Sequence, residues 1–158
     1  MRKFLMILLS VLCCNVSCAQ PSKKYCNTRF DFCINCPASF ISQPTPRNDD
    51  GLIFLSQDNN AEIRTFGSLA IGDFDKLQKE FTMASGDIQL TYKKFTKDWF
   101  VFSGVDKAGK IVFRKTVKKK INYMSDEGVA VFQTLMITYP ASQNKLYAPY
   151  CSVIAKSL

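Results

Sequence analysis

The sequence predicts an α+β fold: an antiparallel β-sheet flanked by helices. Apolar and polar residues alternate with period two over most of residues 25–139, the spacing of half-buried strands. Only two segments, around residues 71–86 and at the C-terminus, carry helical spacing instead. No internal period of roughly 20–50 residues is present, which argues against a repeat architecture. A chain of 158 residues with 13 Phe and 47% hydrophobic residues is sized for one domain with a substantial core.

Residues 1–19 read as a cleavable export signal rather than part of the fold. Arg2-Lys3 give a positive start, Phe4–Cys14 an apolar run, and Ser17-Cys18-Ala19 the small residues of a signal-peptidase site. The run is too short to span a hydrocarbon core of about 30 Å. Cleavage after Ala19 leaves Gln20 first, an arrangement resembling Bacteroidetes-type export signals. The rival reading is a lipoprotein acylated on Cys18, but Asn15 stands where a lipobox has an aliphatic residue.

Residues 20–24 form a polar leader, and the domain proper is expected over 25–158. Phe30, Phe32, Ile34 and Cys36 alternate on one face of a strand that Pro37 stops. Residues 38–50, with two prolines and Asn48-Asp49-Asp50, make a loop. Strands 51–56 and 61–66 flank the polar turn 57–60 as a hairpin. Gly72 and Asp73 open a helix with Asp73 as its cap; Ile71, Phe74, Leu77, Phe81 and Ala84 form its stripe, and Ser85-Gly86 ends it. Four strands follow, at 88–96, 98–105, 110–118 and 129–139. The last is apolar or small on both faces, which suits a central strand. A final helix begins at Ala148-Pro149, with Pro in its first turn and Tyr150, Cys151, Val153, Ile154 and Leu158 as its apolar face.

Removing residues 1–19 also removes Cys13, Cys14 and Cys18, and leaves Cys26, Cys33, Cys36 and Cys151. An even number in an exported chain reads as two disulfides. A hairpin turning at Arg29-Phe30 places Cys26 opposite Cys33. Cys33 and Cys36 point to opposite faces of one strand and cannot bond without a bend. The expected pairs are therefore 26–33 and 36–151, the second closing a loop worth about 4–5 kcal/mol if unstrained. The Cys33-Ile-Asn-Cys36 spacing suits redox chemistry only at a helix N-terminus, whereas here it lies on a strand before Pro37. Zinc knuckle spacing is absent.

The chain has no His, which excludes Ser-His-Asp and Cys-His catalysis and His-ligated metal or haem. Loss of Arg2 and Lys3 lowers the formal charge from +8 to +6. Arg114, Lys115, Lys118, Lys119 and Lys120 form a basic strand end that could meet a polyanion, although lysines that guard a sheet edge explain it as well. The acidic pairs Asp49-Asp50 and Asp126-Glu127 lie beside glycines and fit turns better than a carboxylate site. Trp99, flanked by Phe100 and Phe102, fits core packing better than a ligand pocket. No nucleophile elbow or phosphate loop is present.

Several stretches resemble PsbP/Mog1-like domains. They are Tyr25–Phe40, Asp58–Ile63, Trp99–Gly104, Lys110–Phe113, Thr138-Tyr139-Pro140 and Ile154–Ser157. Phe30-Asp31 replaces a Tyr-Gly of the family pattern, and the cysteines are additions. The resemblance implies a sheet flanked by helices, an α/β sandwich, and supplies no catalytic motif.

Together these readings favour an exported, non-enzymatic, monomeric accessory or binding domain, periplasmic, extracellular or of the cell envelope. Its partner is a protein or envelope component; no cofactor, metal or nucleic acid is expected, and a membrane only if Cys18 is acylated. The alternatives are a lipid-anchored structural protein and a hydrolase with a carboxylate- or lysine-based site at the 38–50 loop.

Overall fold

The structure, a computed structural model, describes residues 21–72 and 75–158. The expected export signal with its three cysteines, and Asp73 and Phe74 of the expected helix start, lie outside the described residues.

Because Val129–Tyr139 is apolar or small on both faces, it has to be covered on both, and it takes the centre of the sheet. It belongs to β9 (Asp126–Pro140), which lies between β5 (Glu62–Leu69) and β8 (Lys110–Tyr123). Outward from β5 come β4 (Gly51–Leu55) and the two-residue β3 (Ile41–Ser42). Outward from β8 come β7 (Trp99–Val105) and the edge strand β6 (Gln89–Phe95). All seven pair antiparallel.

Two layers cover this sheet on opposite faces. One consists of the separate hairpin β1 (Ser22–Asn27) and β2 (Phe32–Pro37) with α2 (Asn144–Ala155). Phe30, Phe32, Ile34 and Cys36 of the hairpin and Tyr147, Cys151 and Ile154 of α2 pack here with Val131, Leu135 and Ile137 of β9. The other layer is α1 (Leu77–Ser85), whose Leu77, Phe81 and Ala84 pack with Phe100, Phe102, Val112 and Phe132. The alternating residues of β9 therefore serve two cores. Phe30 presses so closely on Gly67 that a Cβ there would lie 2.0 Å from the ring, so only glycine lets the hairpin seat.

Cys26 faces Cys33 and is bonded to it, as the hairpin register requires. Elsewhere the boundaries move. Ser22–Lys24 is not a leader: it pairs with Asn35–Pro37. The connection expected between the strands 110–118 and 129–139 shrinks to Met124-Ser125, because Ile121 and Tyr123 are buried under the hairpin and keep β8 extended. There the Phe30 ring packs, tilted, 5.4 Å from Tyr123, and the Arg29 guanidinium donates to the Tyr123 hydroxyl. α1 begins at Leu77, later than the Asp73 cap implied, and Lys76 precedes it without a side-chain cap. Gly86 closes it in a right-handed conformation rather than as a left-handed cap.

α2 begins at Asn144, four residues before Ala148, and Pro149 falls inside it. Burial of Tyr147 against Phe40 and Tyr139 draws those residues into the helix. The proline then leaves one carbonyl of the preceding turn without its helical donor.

Candidate binding surface

The basic end of β8 is used mostly inside the molecule. Strand alternation sends Arg114 and Lys118 to the α1 face, and Lys115 and Lys119 to the other. Arg114 makes an ion pair with Glu80 of α1, donates to Thr116 and lies over the Phe66 ring. Burial pulls the Arg114 pKa down, and the neighbouring Glu80 carboxylate pushes it back up. Lys118 donates to the backbone oxygen of Asp75, at the start of α1. Lys115 donates to the backbone oxygens of Ala155 (2.7 Å) and Leu158 (2.8 Å), placing a cation where the helix dipole of α2 favours one. Lys119 pairs with Asp31 in the hairpin turn at 3.0 Å. The segment thus fastens α1, α2 and the hairpin turn to the sheet, and among the described residues Lys120 alone of the five stands exposed without a contact of this kind.

Cys36 and Cys151 are buried and unbonded, so the structure departs from the expected 36–151 bridge. The helix does turn Cys151 inward, but onto the sheet: its Sγ lies 3.9 Å from the Tyr139 hydroxyl and 3.9 Å from the Tyr147 carbonyl oxygen. Burial pushes the Cys36 thiol up to about 12 and the Cys151 thiol up to about 11.

The acidic pairs make turns. Asp49 has a left-handed backbone, Asp50 accepts from Asn48, and Asp126 pairs with Tyr123 across the β8–β9 turn. The shallow groove beside the 38–50 loop, about 340 Å³, has Asp50 as the one carboxylate in its lining. No group of three His, Cys, Asp or Glu able to hold a metal occurs among the described residues. Asp58, in the β4–β5 turn, accepts from the Ser56 hydroxyl and from Asn60, which hold its carboxyl down at about 2.

The surface that the sequence did not single out is at the β6–β7 side. The hairpin and α2 roof one face of β4, β5, β9 and part of β8, and stop there. Beyond them Trp99, Val101 and Val105 of β7 lie only half-buried, and Tyr92 of β6 is 53% exposed. A groove of about 360 Å³ runs between this face and α2, lined by Tyr92, Val105, Ile111, Phe113, Ala148 and Cys151. Trp99 is not in the core as expected. The core positions go to Phe100 and Phe102, both fully buried, and Trp99 lies on the opposite face between Lys94 (5.5 Å) and Lys115 (5.9 Å). The visible signal was the run Thr91-Tyr-Lys-Lys-Phe-Thr-Lys-Asp-Trp99, which interleaves aromatics with lysines.

A β-hairpin and a helix over one face of an antiparallel sheet, with a second helix on the other, make an α+β domain with a PsbP-like fold. The solution structure of the cyanobacterial PsbP (CyanoP) from Synechocystis sp. PCC 6803 superposes with a TM-score of 0.55, over 91% of this chain and 95% of that one, at 10% identity. LpqN of Mycobacterium tuberculosis, described as involved in cell envelope biogenesis, gives a TM-score of 0.49 at 12% identity, over 87% of this chain and 83% of that one. No protein-family model and no curated protein sequence matches the chain. At such identities the likeness is one of fold, in which unrelated tasks are housed.

Proposed function

We propose that the protein is an exported, non-enzymatic accessory or binding domain of the cell envelope, and that its partner docks on the open outer face of β6 and β7. The observation that carries this reading is the half-buried apolar face of Trp99, Val101 and Val105, left bare where the rest of the same face is roofed. A shallow surface with apolar and aromatic side chains is suited to contact rather than turnover. Export is supported by the leader pattern of residues 1–19 and by the Cys26–Cys33 bridge, which an oxidising compartment maintains.

A photo-crosslinking residue placed at Val101 in the full chain, expressed in its own cells, tests the docking face. Adducts in the envelope fraction from Val101, and none from the exposed Met83 of α1, are expected. Equal adducts from both positions, or none from Val101, would overturn the reading. Intact mass of the same material separates cleavage after Ala19 from acylation at Cys18.

A further inference from the structure

The β6–β7 turn carries an unbalanced positive charge. Lys93, Lys94 and Lys97 are exposed and form no ion pair among the described residues. Lys118 binds Asp98 backbone through its own amide, which brings the exposed Lys120 alongside, two residues further along β8. From Gln89 to Val105 the sole carboxylate is Asp98. On the α1 side, Glu80 is already paired with Arg114, and Asp75 lies near the turn, its backbone oxygen accepting from the same Lys118. At the opposite end of the same strands, Lys107 is matched by Asp87 at 2.6 Å.

Aromatic rings lie among these lysines. Phe95 is 44% exposed on the edge strand although its inner side touches Phe81 and Phe100. Trp99, half-buried, sits beside the turn with Lys94 against its ring. A soluble polyanion needs only the cations. Rings with one apolar and one wet side, set among long-stemmed lysines, match the bilayer interface, where aromatics rest at headgroup depth and lysines reach anionic lipid. An edge strand suits that position because its outer backbone groups face water or headgroups.

We propose that the β6–β7 turn, with Lys93, Lys94, Lys97, Phe95 and Trp99, is a peripheral docking surface for an anionic lipid bilayer. The contact needs no acyl anchor and orients the open face of β6–β7 beside the membrane. It shares Trp99 with the partner face and leaves Val101 and Val105 to the partner.

Trp99 is the single Trp of the chain, so its emission reports the contact without a label. Mature protein recovered from exporting cells is titrated with vesicles of phosphatidylglycerol and phosphatidylcholine, and with pure phosphatidylcholine. Binding with a blue shift of Trp99 is expected on the anionic vesicles alone, weakening as salt rises. The triple change Lys93→Gln, Lys94→Gln, Lys97→Gln should weaken it on the order of a hundredfold, at about 1 kcal/mol per lysine. The equal-charge control Lys23→Gln, Lys24→Gln, Lys145→Gln should bind like the parent. The proposal is overturned if neither vesicle shifts Trp99, if the control triple weakens binding as much as the test triple, or if heparin binds while anionic vesicles do not. The last outcome would assign the surface to a soluble polyanion.

Discussion

Cys36 and Cys151 show how one residue type divides by environment. Cys26 and Cys33 face each other in a hairpin and are bonded; the other two face different neighbours in one core and remain thiols. With pKa values pushed up to about 12 and about 11, well under one percent of either is thiolate at neutral pH. Iodoacetamide at pH 8 should therefore leave both unlabelled in the folded chain lacking residues 1–19. After denaturation without reductant, mass spectrometry should count two labelled thiols. A count of zero would instead establish the 36–151 bridge that the cysteine arithmetic suggested.

At the scale of elements, β8 is the strand that holds the layers together. Its alternate cations reach α1, α2 and the hairpin turn, and the α1 link is the least exposed, with Arg114 and Glu80 side chains 12% and 16% exposed. Removing one partner of so buried a pair strands the other charge. Arg114→Met should thus lower unfolding stability by about 3 kcal/mol in a denaturant titration, while adding Glu80→Leu should restore most of the loss. Equal losses in the single and double variants would show that the pair contributes packing rather than charge compensation. The two helices, by contrast, were displaced from their sequence-based boundaries in opposite directions. α1 loses its first turn, starting at Leu77, whereas α2 gains one because Tyr147 packs on Phe40 and Tyr139. Caps and prolines are local preferences worth about 1–3 kcal/mol, and burial of an aromatic side chain is of the same size. Either can win.

The whole molecule is one sheet with a core on each face, and its hairpin is a second, two-stranded sheet laid over the first. A two-stranded hairpin is marginal on its own, so it depends on docking and on its bridge. Closing the eight-residue loop from Cys26 to Cys33 contributes about 2–3 kcal/mol in the chain-entropy model. The double change Cys26→Ser, Cys33→Ser should lower stability by that amount with the denaturant m-value unchanged, since the hairpin still docks through Phe30 and Phe32. A reduced m-value would mean that the hairpin lifts from the sheet without its bridge.

Much of this fold could be read from residues alone. Period-two alternation placed all four strands after α1, and the two apolar faces of Val129–Tyr139 assigned the centre of the sheet to β9. The facing positions in the first hairpin gave the Cys26–Cys33 bond. These properties are local, or depend on how many faces a strand must bury, and one strand's pattern is enough to show them. The candidate surface was not legible in the same way. Five cations on one strand look like a patch in sequence, yet alternation sends them to opposite faces, where α1, α2 and the hairpin turn receive four of them. Trp99 looks like core beside Phe100 and Phe102 until the register puts it on the part of its face that the hairpin and α2 leave uncovered. Sequence determined which residues could pair and which strand lies innermost, because those follow from spacing along one chain segment. Which charges stay free and which face stays bare was decided only in the tertiary structure, because both depend on where distant segments come to rest.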